Sequence, residues 1–323
     1  MKKKYDIVGL GNVIVDILVK VDDEFLEGLK LKKGTFHGHN EKQIQDIHSK
    51  IKGMQYIVMP GCSVSNTLST IALLGGKTAF FGKIGDDELA EIYEKAMIKD
   101  GIKLNITKTK GLTGKAMTFI TPDSERTFAV NLGVASDFRK EEILEDEIKN
   151  SKILHLEGYT LYNPKLREAT IHAMQIAKKH RVKISIDLSD QNMIKNNIQL
   201  TKEVIKDYVD FLFVNEYEAQ ALTGKPAEEA INEFKTEIAV VKLGEKGSLI
   251  KKGSEIYRIE PVKANAVDTT GAGDSYAGGF LFGLAKGYDI ERCGKIGSFI
   301  SKLVVQQVGS RLNKALRKEI VNL

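Results

Sequence analysis

Asp268-Thr269-Thr270-Gly271-Ala272-Gly273-Asp274 decides how this chain is read, together with the Ser275-Tyr276-Ala277-Gly278-Gly279-Phe280-Leu281 that follows it. Two glycines around an alanine, directly before a helical pattern, let three successive backbone N–H groups point at one spot at the positive end of the helix dipole. Such a cradle suits an anion. Asp274 falls in the first turn, where an acceptor-only carboxylate can take the proton of a hydroxyl that faces a bound phosphate. It could equally cap the helix and complement its dipole. Gly-Ala-Gly-Asp alone leaves the two readings level.

Outward from this stretch, short apolar runs of strand character alternate with longer runs at helical spacing. Strands are expected at 5–9, 79–82, 153–157, 183–187, 211–215 and 239–243. Helices are expected at 64–74, 88–100, 164–180, 216–223, 227–234, 272–286 and 290–305, with Gly224 and Gly287 among their stop signals. The alternation predicts an α/β fold, a mainly parallel, doubly wound sheet flanked by helices. Such sheets bind ligands at the carboxyl ends of their strands. Two stretches break the pattern, and 14–33 with 105–133 read as a small β-sheet lid that includes a hairpin turn at Pro122-Asp123-Ser124. The main domain would then comprise 1–13, 34–104 and 134–323.

The 323 residues carry 48 basic and 43 acidic side chains, a net charge of +5, and the lysines are spread along the chain. That argues against a nucleic-acid partner. Two cysteines, Cys62 and Cys293, are too few for a disulfide framework or a zinc site and fit the reducing cytoplasm. No apolar run is long enough to span a bilayer, so a membrane partner is not expected. Asp6 and Asp16 interrupt the apolar opening, which reads as a buried first strand and not as a leader.

The seven residues 268–274 resemble the C-terminal signature of the ribokinase-like (PfkB) carbohydrate kinases, a family that includes ribokinase, fructokinases and adenosine kinase. The resemblance implies transfer of the γ-phosphoryl group of ATP to a primary hydroxyl. Asp274 would be the catalytic base, and the amides of Gly271, Ala272 and Gly273 would hold the transferring group. It further implies a monovalent-cation (potassium) site lined by Asp268, the Thr270 carbonyl and Gly309. Asn215-Glu216-Tyr217-Glu218 resembles the family's Asn-x-x-Glu motif, in which Asn215 and Glu218 would organise Mg2+ and its water shell, apt chemistry for a hard cation. Residues 240–247 resemble the nucleotide-binding strand and turn, with Lys242 in place of the usual threonine and Gly244 and Gly247 as its glycines.

On the acceptor side, Gly11, Asn12 and Asp16 match the family's Gly-Asn-x-x-x-Asp opening, and Asp16 would accept hydrogen bonds from sugar hydroxyls. A dinucleotide fold is excluded there because Ile14 stands where the third glycine of its fingerprint must be. Gly61 and Asn66 match a Gly-Gly-x-x-x-Asn loop whose second glycine is Cys62 here. A side chain at that point crowds the site if the backbone must take positive φ. Glu157, at a strand end, would also line the sugar pocket, and Arg126 in the lid is placed to swing towards phosphate. The opening motif and Ala129-Val130-Asn131-Leu132-Gly133 look most like adenosine kinases and their bacterial relatives. Adenosine is therefore the expected acceptor, with Phe36, Phe119 and Leu132 of the lid flanking its base. The alternative is a sugar such as ribose or fructose, and the protein is expected to be a monomer or homodimer.

Overall fold

The computed structural model describes residues 3–123, 125–312, 316, 319 and 320, so Ser124 of the expected hairpin turn lies outside the described residues. Nine strands form one sheet in the order Glu255–Ile259, Ser248–Lys252, Ile238–Lys242, Phe211–Asn215, Lys183–Asp187, Ser151–Glu157, Tyr5–Leu10, Thr78–Ile84 and Lys103–Lys108. Neighbours are parallel except around Ser248–Lys252, which runs antiparallel to both of its partners. Strand residues alternate between two cores. Leu212 and Val214 join one that includes Leu154, Ile184 and Met174, whereas Phe211 and Phe213 join the other with Ile7, Phe280 and Ile296. Burial on both faces is why these strands read as continuous apolar runs.

The helices Ser63–Leu73, Ala272–Lys286 and Ile290–Val305 cover the second core, and Pro164–Lys179 lies against the first. Gly287 ends its helix at φ +80 and Gly224 ends Glu216–Thr223 at φ +75, the left-handed conformation that stops a helix at little cost only for glycine. Among the described residues, no helix is long and apolar enough to cross a membrane.

A second sheet of five strands, ordered Phe36–Gly38, Arg126–Asn131, Gly114–Ile120, Ile14–Lys20 and Tyr56–Pro60, stands apart from the first. Its composition departs from the expected 14–33 and 105–133. Lys103–Lys108 pairs in parallel with Thr78–Ile84 and closes the large sheet, while Phe36–Gly38 and Tyr56–Pro60 are the outer strands of the small one. Edge position hid the last of these from the sequence, because Tyr56 and Ile57 are exposed and the strand shows no buried alternation. The small sheet has a core of its own, in which Ile17, Val19, Met117, Phe119 and Ala129 meet Ile44 and Ile47 of the helix Glu41–Lys50. Phe119 packs on Phe25 with ring centroids 5.9 Å apart. It therefore belongs to the far face of the lid and not to the base-flanking set expected above. Side chains alternate across a strand, so Asp16, Ala116 and Val130, which are in register, share the opposite face with Arg126 and Phe128.

Candidate active site

The helix Ala272–Lys286 begins at Gly271, which takes φ +75, and no side chain caps it. A Cβ on Gly271 would lie 2.5 Å from the Ser310 side chain, so only glycine allows this approach. Of the three cradle amides, that of Ala272 makes a long 3.2 Å bond to the Thr269 carbonyl. Lys242 brings its ammonium beside the loop, 3.0 Å from where a Cβ on Gly273 would be. Lys242, Gly244, Gly247, Val262, Gly273 and Ser298 line one open cleft of about 990 Å³.

Asp274 faces the other way along the same turn. Its Oδ1 accepts a hydrogen bond from Ser63 Oγ at 2.7 Å and its Oδ2 one from Asn66 Nδ2 at 2.9 Å. Neither oxygen caps the helix, so the capping interpretation fails. Burial raises the Asp274 pKa, while the bonds from Asn66 and Ser63 pull it back down. Asn66 is held in turn, because its Oδ1 accepts from Arg311 Nε at 2.9 Å and Ser310 Oγ at 3.2 Å. Arg311 also reaches Asp100 at 3.3 Å, Ser65 at 2.5 Å and the Gly61 carbonyl at 3.5 Å.

Asp16 presses on the same loop, its Oδ1 only 2.5 Å from where a Cβ on Gly61 would be. Burial, with the Asp274 charge added, pushes the Asp16 carboxyl up to about 7 against the pull of Arg311 and Arg126. Asp16, Gly61, Asn66 and Asp274 thus converge on one spot. Glu157 is held by Asn12 and Cys62 beside this spot. Its Oε1 accepts from both the backbone and the side chain of Asn12, at 2.8 and 2.7 Å, and Cys62 Sγ lies 3.4 Å from its Oε2. What this pair leaves open is Asn12 Oδ1, a buried acceptor without a partner.

Cys62 adopts φ +75 and ψ 125, a conformation rare for any residue with a Cβ. Cysteine stands here in a backbone conformation that favours glycine, at a cost of about 1–3 kcal/mol. Cys62→Gly should therefore raise the melting temperature by a few degrees and keep turnover within a few-fold, whereas Cys62→Ala, which retains the Cβ, should show no gain. A thermal melt of the three proteins checks this. A glycine variant that melts below the parent would show that the thiol contact outweighs the strain.

On the nucleotide side, Asn215 and Glu218 form a reciprocal cap. Asn215 Oδ1 accepts from the Glu218 amide at 2.9 Å, while its Nδ2 and backbone N donate to Glu218 at 2.7 and 2.9 Å. Burial, followed by the charge of Asp187, pushes Glu218 up to about 7. Asp187 pairs with Lys242 at 2.5 Å. Asp187, Glu218 and Asp274 all act electrostatically on one lysine. Such an excess of carboxylate fits a hydrated divalent cation. Among the described residues no group of three or more acidic, histidine or cysteine side chains could hold a metal ion by itself. Glu218 and Asp187 would then act on Mg2+ through its water shell and the substrate phosphates.

The expected potassium site does not fit. Asp268 and Gly309 do meet, with the Gly309 amide donating to Asp268 Oδ2 at 2.8 Å, but Oδ1 takes the Thr270 amide at 2.7 Å and is paired with Arg126. Arg126 also donates to the Thr270 hydroxyl. Sequence reasoning missed Ser63, Asp187 and Arg311. Asp187 had a signal, since it ends an expected strand of the parallel sheet, and Ser63 lies inside the loop already singled out. Nothing marked Arg311.

A large parallel sheet with a β lid, a phosphate cradle at a helix start and a buried carboxylate beside it define a phosphotransferase that acts on an alcohol. Residues 43–316 match the family model for pfkB family carbohydrate kinases, and the chain belongs to that family. Adenosine kinase from Sinorhizobium meliloti superposes with a TM-score of 0.91 at 33% identity, covering 98% of each chain. An uncharacterized sugar kinase of Archaeoglobus fulgidus is 30% identical over 75% of this chain and 96% of its own length. A 5-dehydro-2-deoxygluconokinase of Bacillus subtilis is 31% identical over 81% of this chain and 86% of its own.

Proposed function

We propose that this kinase transfers the γ-phosphoryl group of ATP to the primary hydroxyl of a ribose-containing acceptor, and that adenosine or a close purine nucleoside is preferred. The observation that carries the reading is the placement of Asp274 between the 271–273 loop and the Asp16–Asn66 pair. A hydroxyl held by Asp16 and Asn66 loses its proton to Asp274 as its oxygen bonds to the γ-phosphorus, and the bond from that phosphorus to the β–γ bridging oxygen breaks to release ADP. Mg2+ would neutralise charge on the phosphates. Gly271, Ala272, Gly273 and Lys242 supply donors and positive charge on the protein side, with Gly244 and Gly247 shaping the cleft. Asn12 Oδ1 offers a hydrogen bond to the acceptor, and Glu157 fixes the Asn12 side chain. The two free thiols favour a cytoplasmic setting.

Support for a nucleoside comes from the lid and from the bacterial adenosine kinase likeness. Phe36 is 46% exposed and stands in register with Phe128 on the strand that carries Arg126. An apolar surface of that size gripping a base should be worth a few kcal/mol, on the order of 10²-fold in kcat/KM over a bare sugar. Initial rates for adenosine, guanosine, inosine, ribose, fructose and 5-dehydro-2-deoxygluconate, at one ATP-magnesium concentration, decide the matter. A free sugar outrunning every nucleoside would overturn the nucleoside assignment and leave the kinase class in place.

A further inference from the structure

Asp268 is 5% exposed and stands next to the cradle loop, two residues from Thr270 and three from Gly271. Two of its hydrogen bonds come from neutral amides, those of Thr270 and Gly309. Amides stabilise a carboxylate but leave its charge uncompensated, and a buried uncompensated charge is costly. Among the described residues the cation paired with it is Arg126, which arrives from the other sheet. Burial works to raise the Asp268 pKa, yet the Arg126 contact and the two amides together hold it below the ordinary carboxylate value. Arg126 itself is mostly enclosed, its side chain 19% exposed, and its second nitrogen is spent on the Thr270 hydroxyl. The guanidinium thereby grips both residues that lead into Gly271.

We propose that Arg126 supplies from within the chain the positive charge that a monovalent cation would otherwise provide beside Asp268, so that the cradle is ordered by lid closure and not by potassium. The inference rests on the kinase reading for its functional meaning, though its structural half does not. With the lid down, Asp268 Oδ1 is taken by the Thr270 amide and Arg126, and the charge an ion would compensate is already paired. With the lid up or Arg126 removed, Asp268 Oδ1 regains a lone pair and its charge is uncompensated, which is the condition for capturing a cation.

The test compares the parent, Arg126→Ala and Arg126→Gln in potassium, sodium and tetramethylammonium chloride at equal ionic strength. Three readings are taken: thermal melting, ATP-magnesium affinity by calorimetry, and initial rate with the best acceptor. The parent should give the same melting temperature and the same ATP affinity, within about twofold, in all three salts. Both variants should bind ATP at least about fivefold more weakly in tetramethylammonium, recover in potassium, and melt higher in potassium than in tetramethylammonium. A parent whose affinity or rate rises about fivefold with potassium overturns the proposal. So do two folded variants indifferent to the salt. Failure of every acceptor would instead reject the kinase reading, since melting and ATP binding report on Asp268 without any acceptor present.

Discussion

Asp274→Asn will lower turnover by at least about 10²-fold while ATP binding stays within a few-fold of the parent. The substitution conserves shape and leaves the cradle backbone intact, so only proton acceptance is lost, and a general base contributes about 10²–10⁴ in rate. Structure sharpens the expectation, because Asp274 caps nothing and its two oxygens are held by Ser63 and Asn66 beside the acceptor position. Single-turnover kinetics with saturating ATP-magnesium, alongside calorimetric ATP binding, measure both quantities. A turnover within a few-fold of the parent would remove Asp274 from the chemistry.

Arg311→Met will cost both stability and acceptor recognition, the latter by at least about tenfold in KM. Arg311 is a positioning residue. It fixes which end of the Asn66 amide meets Asp274 by donating to Asn66 Oδ1, and it pairs with Asp100 where the two side chains are 10% and 19% exposed. Removing one partner of such a pair costs about 3–5 kcal/mol, or roughly 5 °C in melting temperature for a chain of this size. The pH profile separates charge from mere packing. Asp16 accepts from a hydroxyl more strongly as the carboxylate than as the neutral acid, and its folded pKa of about 7 lies above the ordinary 3.8. Acceptor kcat/KM should therefore rise with pH through about 7 and then level off. Stability runs the other way for this group: folding favours the protonated form, so the Asp16 contribution declines as pH rises from the ordinary value to about 7. Without the Arg311 charge the acid limb moves to higher pH. Arg311→Lys, which keeps the charge but not the fork, should hold the limb near its place while KM still rises. An unmoved limb in the methionine variant would reduce Arg311 to packing.

Much of the site was legible because its chemistry is local. The cradle needs glycine at particular backbone angles directly before a helix, and Asp274 needs only to follow it by one residue. Asp16 opens the strand Ile14–Lys20, and Gly61 and Asn66 lie where Tyr56–Pro60 passes into the helix Ser63–Leu73, so each stands within a few residues of a Gly-containing segment boundary that the sequence shows. Arg311 could not be found this way. It matters through Asn66 and Asp100, which lie 245 and 211 positions away, and no periodicity encodes such contacts. The lid boundary failed for a related reason, since an exposed edge strand such as Tyr56–Pro60 shows no alternation to detect. Phe119 was misplaced because composition reports that a residue is apolar but not which face of a sheet it serves.

The sequence by itself determined the alternation of strands and helices, the mainly parallel sheet and the glycine-led start of the helix that carries Asp274, since each shows in patterns among residues close together in the chain. Tertiary structure alone decided four things: that Cys62 sits at φ +75, that Glu157 is spent on Asn12, that Arg311 anchors Asn66 and that Arg126 meets Asp268. Each is a contact between segments far apart in the chain or a conformation such contacts impose. Buried charges and amides take whatever partners the completed packing brings within reach.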